Sequence, residues 1–213
     1  CLLYPPYALR ACDTFRLGAM PTWNEMLQAN PNHSEMYAQR WRNFVAEGKD
    51  IDGEARLIDA MSPRAARILD AGCGTGRVGG YLAARGHTVV GVDLDPVLIN
   101  YAKTDFPDAE WHVGDLCTGT VPGDNYDIVV SAGNVMGFLP VEGRLPALQG
   151  IADSLAPHGR AVIGFSTGRG FFFDEFFALA EQAGLKQSIN FSSWECHPFT
   201  KGSDFLVAVL AKA

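Results

Sequence analysis

Ile68-Leu69-Asp70-Ala71-Gly72-Cys73-Gly74-Thr75-Gly76 decides how this chain is read, because an apolar strand ends there on a carboxylate and breaks into alternating glycines. Glycine has no Cβ, so the backbone can take positive φ and lie directly against a ligand. The helix expected from Arg77 to Arg85 turns its unpaired N–H groups toward this loop, which makes a site for a nucleotide-type cofactor. Two more acids sit in matching places. Asp93 closes the apolar run Val89-Val90-Gly91-Val92, and Asp115 follows the run Trp111–Val113.

Outward from the loop, short β-rich runs alternate with helical ones. Strands are expected at 68–70, 88–93, 111–113, 126–131 and 161–165, which is the pattern of a parallel sheet with crossover helices on both faces. Helices are expected after Arg77, after the Asp95-Pro96 start, and through Leu145, Leu148, Ile151 and Leu155. Upstream, Met36, Tyr37, Trp41, Phe44 and Val45 form one amphipathic stripe, and Ala55, Leu57, Ile58 and Met61 a shorter one. The last third departs from the alternation. The runs 186–194 and 205–211 are joined by too few residues for a helical crossover, so they are expected to be antiparallel.

The chain has 213 residues, 47% of them hydrophobic, which fits one α/β domain with a substantial core. Residues 1–30 read as an N-terminal extension, poorly ordered in part, and 31–213 as the domain. The stretch 1–19, which precedes Met20, reads as an upstream extension or a fragment edge expected to pack loosely. A formal charge of −7 opposes phosphate backbones and anionic membranes and attracts a cationic small molecule. Neither a nucleic acid nor a membrane partner is therefore expected. The five cysteines form no CxxC pair and no disulfide framework, which suits a reduced, cytoplasmic setting.

Which cofactor the loop holds is not decided by glycine spacing, since Gly74-Thr75-Gly76-Arg77-Val78-Gly79 also satisfies the dinucleotide pattern G-x-G-x-x-G. Charge favours another ligand. A pyrophosphate would lie near Asp70 with no arginine but Arg77 at hand, whereas a ligand carrying a positive amino group suits that carboxylate.

The segment Asp70-Ala71-Gly72-Cys73-Gly74-Thr75-Gly76 resembles the first motif of class I S-adenosylmethionine-dependent methyltransferases, acid-x-Gly-x-Gly-x-Gly, at every position. The resemblance spans about residues 33–213, with its specific motifs between 66 and 134. It implies a Rossmann-like, seven-stranded, mostly parallel sheet of order 3-2-1-4-5-7-6, strand seven antiparallel, capped by N-terminal helices. It implies S-adenosyl-L-methionine as cofactor and S-adenosyl-L-homocysteine as product. Asp70 would support the methionine end, with Gly72, Cys73, Gly74 and Gly76 passing beneath it. Asp93, beside Leu94, would accept both ribose hydroxyls, for which the two oxygens of a carboxylate are suited. Asp115 would receive the adenine amino group and the adjacent backbone at Leu116 a ring nitrogen, while Ser131 at the end of the fourth strand would lie near the transferred methyl.

The chain also departs from that pattern. The usual Pro-Gly-Gly before the fifth strand is Pro157-His158-Gly159, which asks histidine to take a conformation glycine takes easily. No Asn/Asp-Pro-Pro-aromatic run follows the fourth strand, so nucleobase-amine and glutamine methylation are not implied. The expected function is methyl transfer to a small-molecule acceptor. The runner-up readings are an NAD-dependent oxidoreductase and an S-adenosylmethionine-binding protein without transferase activity.

Several residues carry two readings each. Tyr37 either closes the cofactor pocket or belongs to the core. Asn134 either orients substrate or caps the turn 135–139. Glu195 and His197, after the sixth strand, either contact substrate or are structural. The phenylalanines of 171–177 are chiefly helix core or, in part, an apolar substrate wall. No catalytic side chain and no metal ligand set is assigned.

Overall fold

The computed structural model describes residues 20–213; the expectation of loose packing for 1–19 falls outside them. Seven strands form one sheet in the order β3-β2-β1-β4-β5-β7-β6. They are β1 (Arg67–Ala71), β2 (Thr88–Asp93), β3 (Glu110–Val113), β4 (Tyr126–Ser131), β5 (Leu155–Ser166), β6 (Leu185–Phe191) and β7 (Phe205–Lys212). The first five pair in parallel, and β7 runs antiparallel to both β5 and β6. This is the sheet expected from the resemblance, and the shortness of the β6–β7 connection explains its antiparallel end.

Eight α-helices surround the sheet among the described residues: α1 (Trp23–Ala29), α2 (His33–Ala46), α3 (Gly53–Met61), α4 (Arg77–Ala84), α5 (Pro96–Asp105), α6 (Val135–Phe138), α7 (Val141–Ser154) and α8 (Phe173–Gln182). Period-two alternation sorts the strand residues between two apolar layers. Ile68, Val89, Ile128, Val162 and Val207 pack with Ile58 of α3 and with Val78 and Leu82 of α4. Their neighbours Leu69, Val90, Val129, Ile163 and Leu206 pack on the other face with Leu148 and Ile151 of α7 and Phe176 of α8. Phe171 and Phe176 are fully buried, Phe165 meets both rings, and Phe172 is 57% exposed, so most of the phenylalanine run is core.

One local reading is corrected. The fifth strand begins at Leu155, earlier than the run 161–165, and slips against β4 so that Tyr126 pairs with Leu155 and Ile128 with Arg160. Neither His158 nor Gly159 takes positive φ in that slip. Glycine is needed at 159 for closeness instead: a Cβ there would lie 2.4 Å from the Tyr126 carbonyl oxygen. Residues 23–29 of the expected extension form α1. Thr22 caps α1 in a reciprocal box with Glu25, and Trp23 is buried at 8% exposure.

Candidate cofactor and active site

The carboxyl ends of β1 and β2 are tied into one platform. The backbone N–H groups of Gly72 and Cys73 donate to the Val92 carbonyl at 2.8 and 3.0 Å, and that of Gly74 donates to Asp93 Oδ2 at 2.9 Å. Gly72 adopts φ +81°, and a Cβ on it would fall 2.4 Å from the Val135 side chain at the start of α6. Gly76, also at φ +81°, begins α4 in the left-handed region that favours glycine. The loop thus closes under α6 only because it has no side chains there.

Asp93 sits at the centre of this platform. Its Oδ2 holds Gly74 and its Oδ1 accepts the backbone N–H of Asp95 at 3.0 Å. Burial pushes its carboxyl up to about 6, opposed by those two N–H donors. Asp70 is placed differently. It is 2% exposed and accepts the Gly79 N–H at 2.9 Å, so its carboxylate turns under the loop into α4; burial pushes it up to about 7. Gly79, the last glycine of the dinucleotide-like pattern, allows α4 to approach, since a Cβ on it would lie 2.8 Å from Trp111 and 3.1 Å from Asp70.

A cavity of about 320 Å3 opens above the platform, within the usual size of a small-molecule site. Of the residues expected at the cofactor, Tyr37, Gly72, Gly74, Asp93, Leu94 and Asp115 line it. Asp70, Cys73, Gly76, Leu116 and Ser131 do not. The Cys73 thiol faces Gly91 and is held far above the ordinary thiol range by burial, which leaves it inert. Leu116 is buried in the core, and its neighbour Cys117 lines the cavity in its stead. Burial pushes the Cys117 thiol up to about 12. Ser131 is 1% exposed at the tip of β4, and its hydroxyl has no hydrogen-bond partner among the described residues.

None of the three residues proposed for substrate lines the cavity. Asn134 takes φ +65° and accepts the Ser166 N–H at 2.7 Å, so it clips the end of β4 to the end of β5. The Glu195 carboxylate lies near Gly53, and His197 meets the Ser193 hydroxyl at 2.8 Å; both belong to the turn after β6. Trp194 packs on the sheet beside Gly164.

The sequence reading missed the roof of the cavity. Thr22, Trp23 and Glu25 of the α1 segment, Phe138 and Leu139 at the end of α6, and Glu142 of α7 all line it. A signal for α1 was present in Thr22-x-x-Glu25, the spacing of a capping box. The described lining contains the acids Glu25, Asp93, Asp115 and Glu142 and no lysine, arginine or histidine. Arg77, the residue a pyrophosphate would need, is engaged elsewhere: its guanidinium forks onto Glu54 at 2.8 and 2.9 Å, donates to the Ile51 carbonyl and lies 4.3 Å from the Trp41 ring centroid. The site therefore fits a cationic nucleoside and lacks the counter-charge for a dinucleotide. No group of three His, Cys, Asp or Glu able to hold a metal occurs among the described residues.

A glycine cradle, two strand-end acids over one cavity and this strand order define a Rossmann-like nucleoside-cofactor protein. Comparison with known proteins narrows the class. A family model described as a methyltransferase domain matches residues 68–159. The solved TehB-like SAM-dependent methyltransferase of Corynebacterium glutamicum is 60% identical, over 86% of this chain and all of that one, with a TM-score of 0.84. A dTDP-3-amino-3,4,6-trideoxy-alpha-D-glucopyranose N,N-dimethyltransferase of Streptomyces venezuelae is 30% identical across 60% of this chain. The magnesium-protoporphyrin O-methyltransferase of Rhodobacter capsulatus is 30% identical across 70%. The matched regions span only 52% and 63% of those two relatives. The chain belongs to the class I S-adenosylmethionine-dependent methyltransferases, whose cofactor is S-adenosylmethionine.

Proposed function

We propose that this protein transfers a methyl group from S-adenosylmethionine to a small-molecule acceptor. The observation that carries the reading is the cavity itself, where glycine backbone and two strand-end carboxylates meet in a described lining without a cationic side chain. The bound cofactor supplies an already activated methyl group. The protein's part is then to align the acceptor and exclude water, and oriented placement alone contributes about 7–11 kcal/mol toward the barrier. In this reading Asp93 takes the ribose hydroxyls and Asp115 the adenine edge, with Tyr37 and Leu94 beside them. Asp70 acts at one remove, holding the glycine loop on α4.

A small acceptor is supported by the roof of α1 and α6 over a cavity of about 320 Å3. The relatives from S. venezuelae and R. capsulatus, named for an amino sugar and a porphyrin, point the same way. Glu142 is exposed, lines the cavity and begins α7, which makes it the carboxylate best placed to meet an acceptor. A cytoplasmic location belongs to the same reading: no described helix is long and apolar enough to cross a membrane, and Cys73, Cys117 and Cys196 are free thiols.

Calorimetric titration with S-adenosylmethionine, S-adenosylhomocysteine and NAD tests the cofactor, and transfer of labelled methyl to a metabolite panel tests the activity. Binding of the first two, with no response to NAD, is the expected result. Tight NAD binding with no response to the others would overturn it.

A further inference from the structure

The Trp23–Asp95–Asp93 chain of contacts joins the roof of the cavity to its floor. Asp95 is 1% exposed and its two oxygens serve different tasks. Oδ1 caps α5, accepting the N–H groups of Val97 at 2.9 Å and Leu98 at 3.4 Å. A cap needs no more than this, and serine, threonine or asparagine would supply it. Oδ2 instead accepts the Trp23 indole N–H at 2.8 Å and the Ser34 hydroxyl, which come from α1 and α2. The Asp95 backbone N–H meanwhile donates to Asp93 Oδ1.

Helix α1 is a weak element by itself. It has seven residues, of which only Trp23 is buried, and a helix that short is not stable in water by itself. The Trp23 ring stands edge-on to Tyr37 and Phe138, with centroids at 5.5 and 5.8 Å. Arg169 fastens the residue before the Thr22 cap, donating to the Pro21 carbonyl while its guanidinium lies 3.8 Å from the Phe138 ring centroid. A locally weak element fixed by a few polar contacts is the kind that opens without global unfolding.

We propose that Asp95 is a positioning residue that latches α1 over the cavity and couples that closure to Asp93, so that breaking the Trp23–Asp95 bond speeds cofactor release. The inference rests on the cofactor reading of the site. Opening α1 removes Trp23 from the roof and frees the carboxylate that orders the turn supporting Asp93. Closure and retention of the ligand are thereby one event.

Hydrogen exchange and stopped-flow release of S-adenosylhomocysteine from Asp95→Asn, Trp23→Phe and the double variant test this. Asparagine keeps the cap oxygen and sets an N–H donor against the indole N–H; phenylalanine keeps a ring and removes the donor. Each single variant is expected to speed exchange of the α1 amides and ligand release about tenfold, with β1, β4 and β5 still protected, and the double variant to go no further than the faster single. Faster α1 exchange with unchanged release would overturn the coupling, as would effects that multiply in the double variant. Unchanged α1 exchange would overturn the latch. A wild-type protein that binds no S-adenosylhomocysteine would overturn the site reading itself and the inference with it.

Discussion

The floor and the roof of the cavity are built by opposite means. The floor, from β1 through β3, is made of backbone ends: Gly72 and Cys73 hang from Val92, Gly74 from Asp93, and each acid closes or follows its own strand. The roof is made of side chains that meet across the chain, Trp23 on Asp95 and Arg169 on Pro21, 72 and 148 residues apart. Local backbone geometry makes the floor rigid and places its donors before any ligand arrives. The roof depends on single contacts, each of which can be released.

The largest effect is expected at Arg77, which ties Glu54 of α3 and the Trp41 ring of α2 to the start of α4. Arg77→Ala leaves the partly buried Glu54 without its partner and is expected to lower stability by about 3 kcal/mol, the low end for a buried pair, read in chemical denaturation. A loss below 1 kcal/mol would mean that α3 docks by apolar contact alone. Next in size is Asp93→Ala, expected to weaken S-adenosylhomocysteine binding by about 2–4 kcal/mol, roughly 30- to 700-fold, because a charged acceptor is lost. Unchanged affinity in calorimetry would remove Asp93 from the ribose.

Acid titration probes the floor, because the two carboxyls that burial raises both belong to it. The carboxyls of Asp93 and Asp70 stand at about 6 and about 7, raised by burial from ordinary values near 3.8. A group raised on folding contributes stability that is complete below its unfolded value and is lost as pH climbs through the folded one. These two terms therefore favour the cofactor-free fold near pH 4 and fade by pH 8. With the ribose on Asp93, as proposed, cofactor binding has the opposite sign, since hydroxyl donors prefer the ionised carboxylate. Affinity is expected to rise about tenfold from pH 5 to pH 7, and Asp93→Asn to flatten that rise. A flat wild-type profile would contradict the assignment. The smallest effect lies outside both regions: Glu195→Ala, in the turn after β6, is expected to change cofactor affinity by less than about 0.5 kcal/mol. A larger loss would extend the site toward that turn.

The same division separates what the sequence makes legible from what it does not. Strands β1, β2 and β3 announce themselves as short β-rich runs, and Gly72, Gly74, Asp93 and Asp115 lie at or just past their ends, so strand register carries them to one cavity. Asp70 fits the same motif, yet its carboxylate turns toward Gly79; periodicity says where a residue stands on a strand, not which N–H it meets. Trp23, Phe138 and Glu142 belong to segments whose local pattern has no functional mark, and they reach the cavity only through tertiary packing. Asn134, Glu195 and His197 share only a place near strand ends. One became a clip between β4 and β5, and the other two close a turn at the sheet's far edge.

A crystal structure of the protein with S-adenosylhomocysteine tests the central claim most directly. Nucleoside density is expected along Gly72 and Gly74, with the sugar hydroxyls on Asp93, the base beside Asp115 and α1 closed above. Density for the nucleoside away from Asp93 and Asp115, or none at saturating ligand, would contradict it.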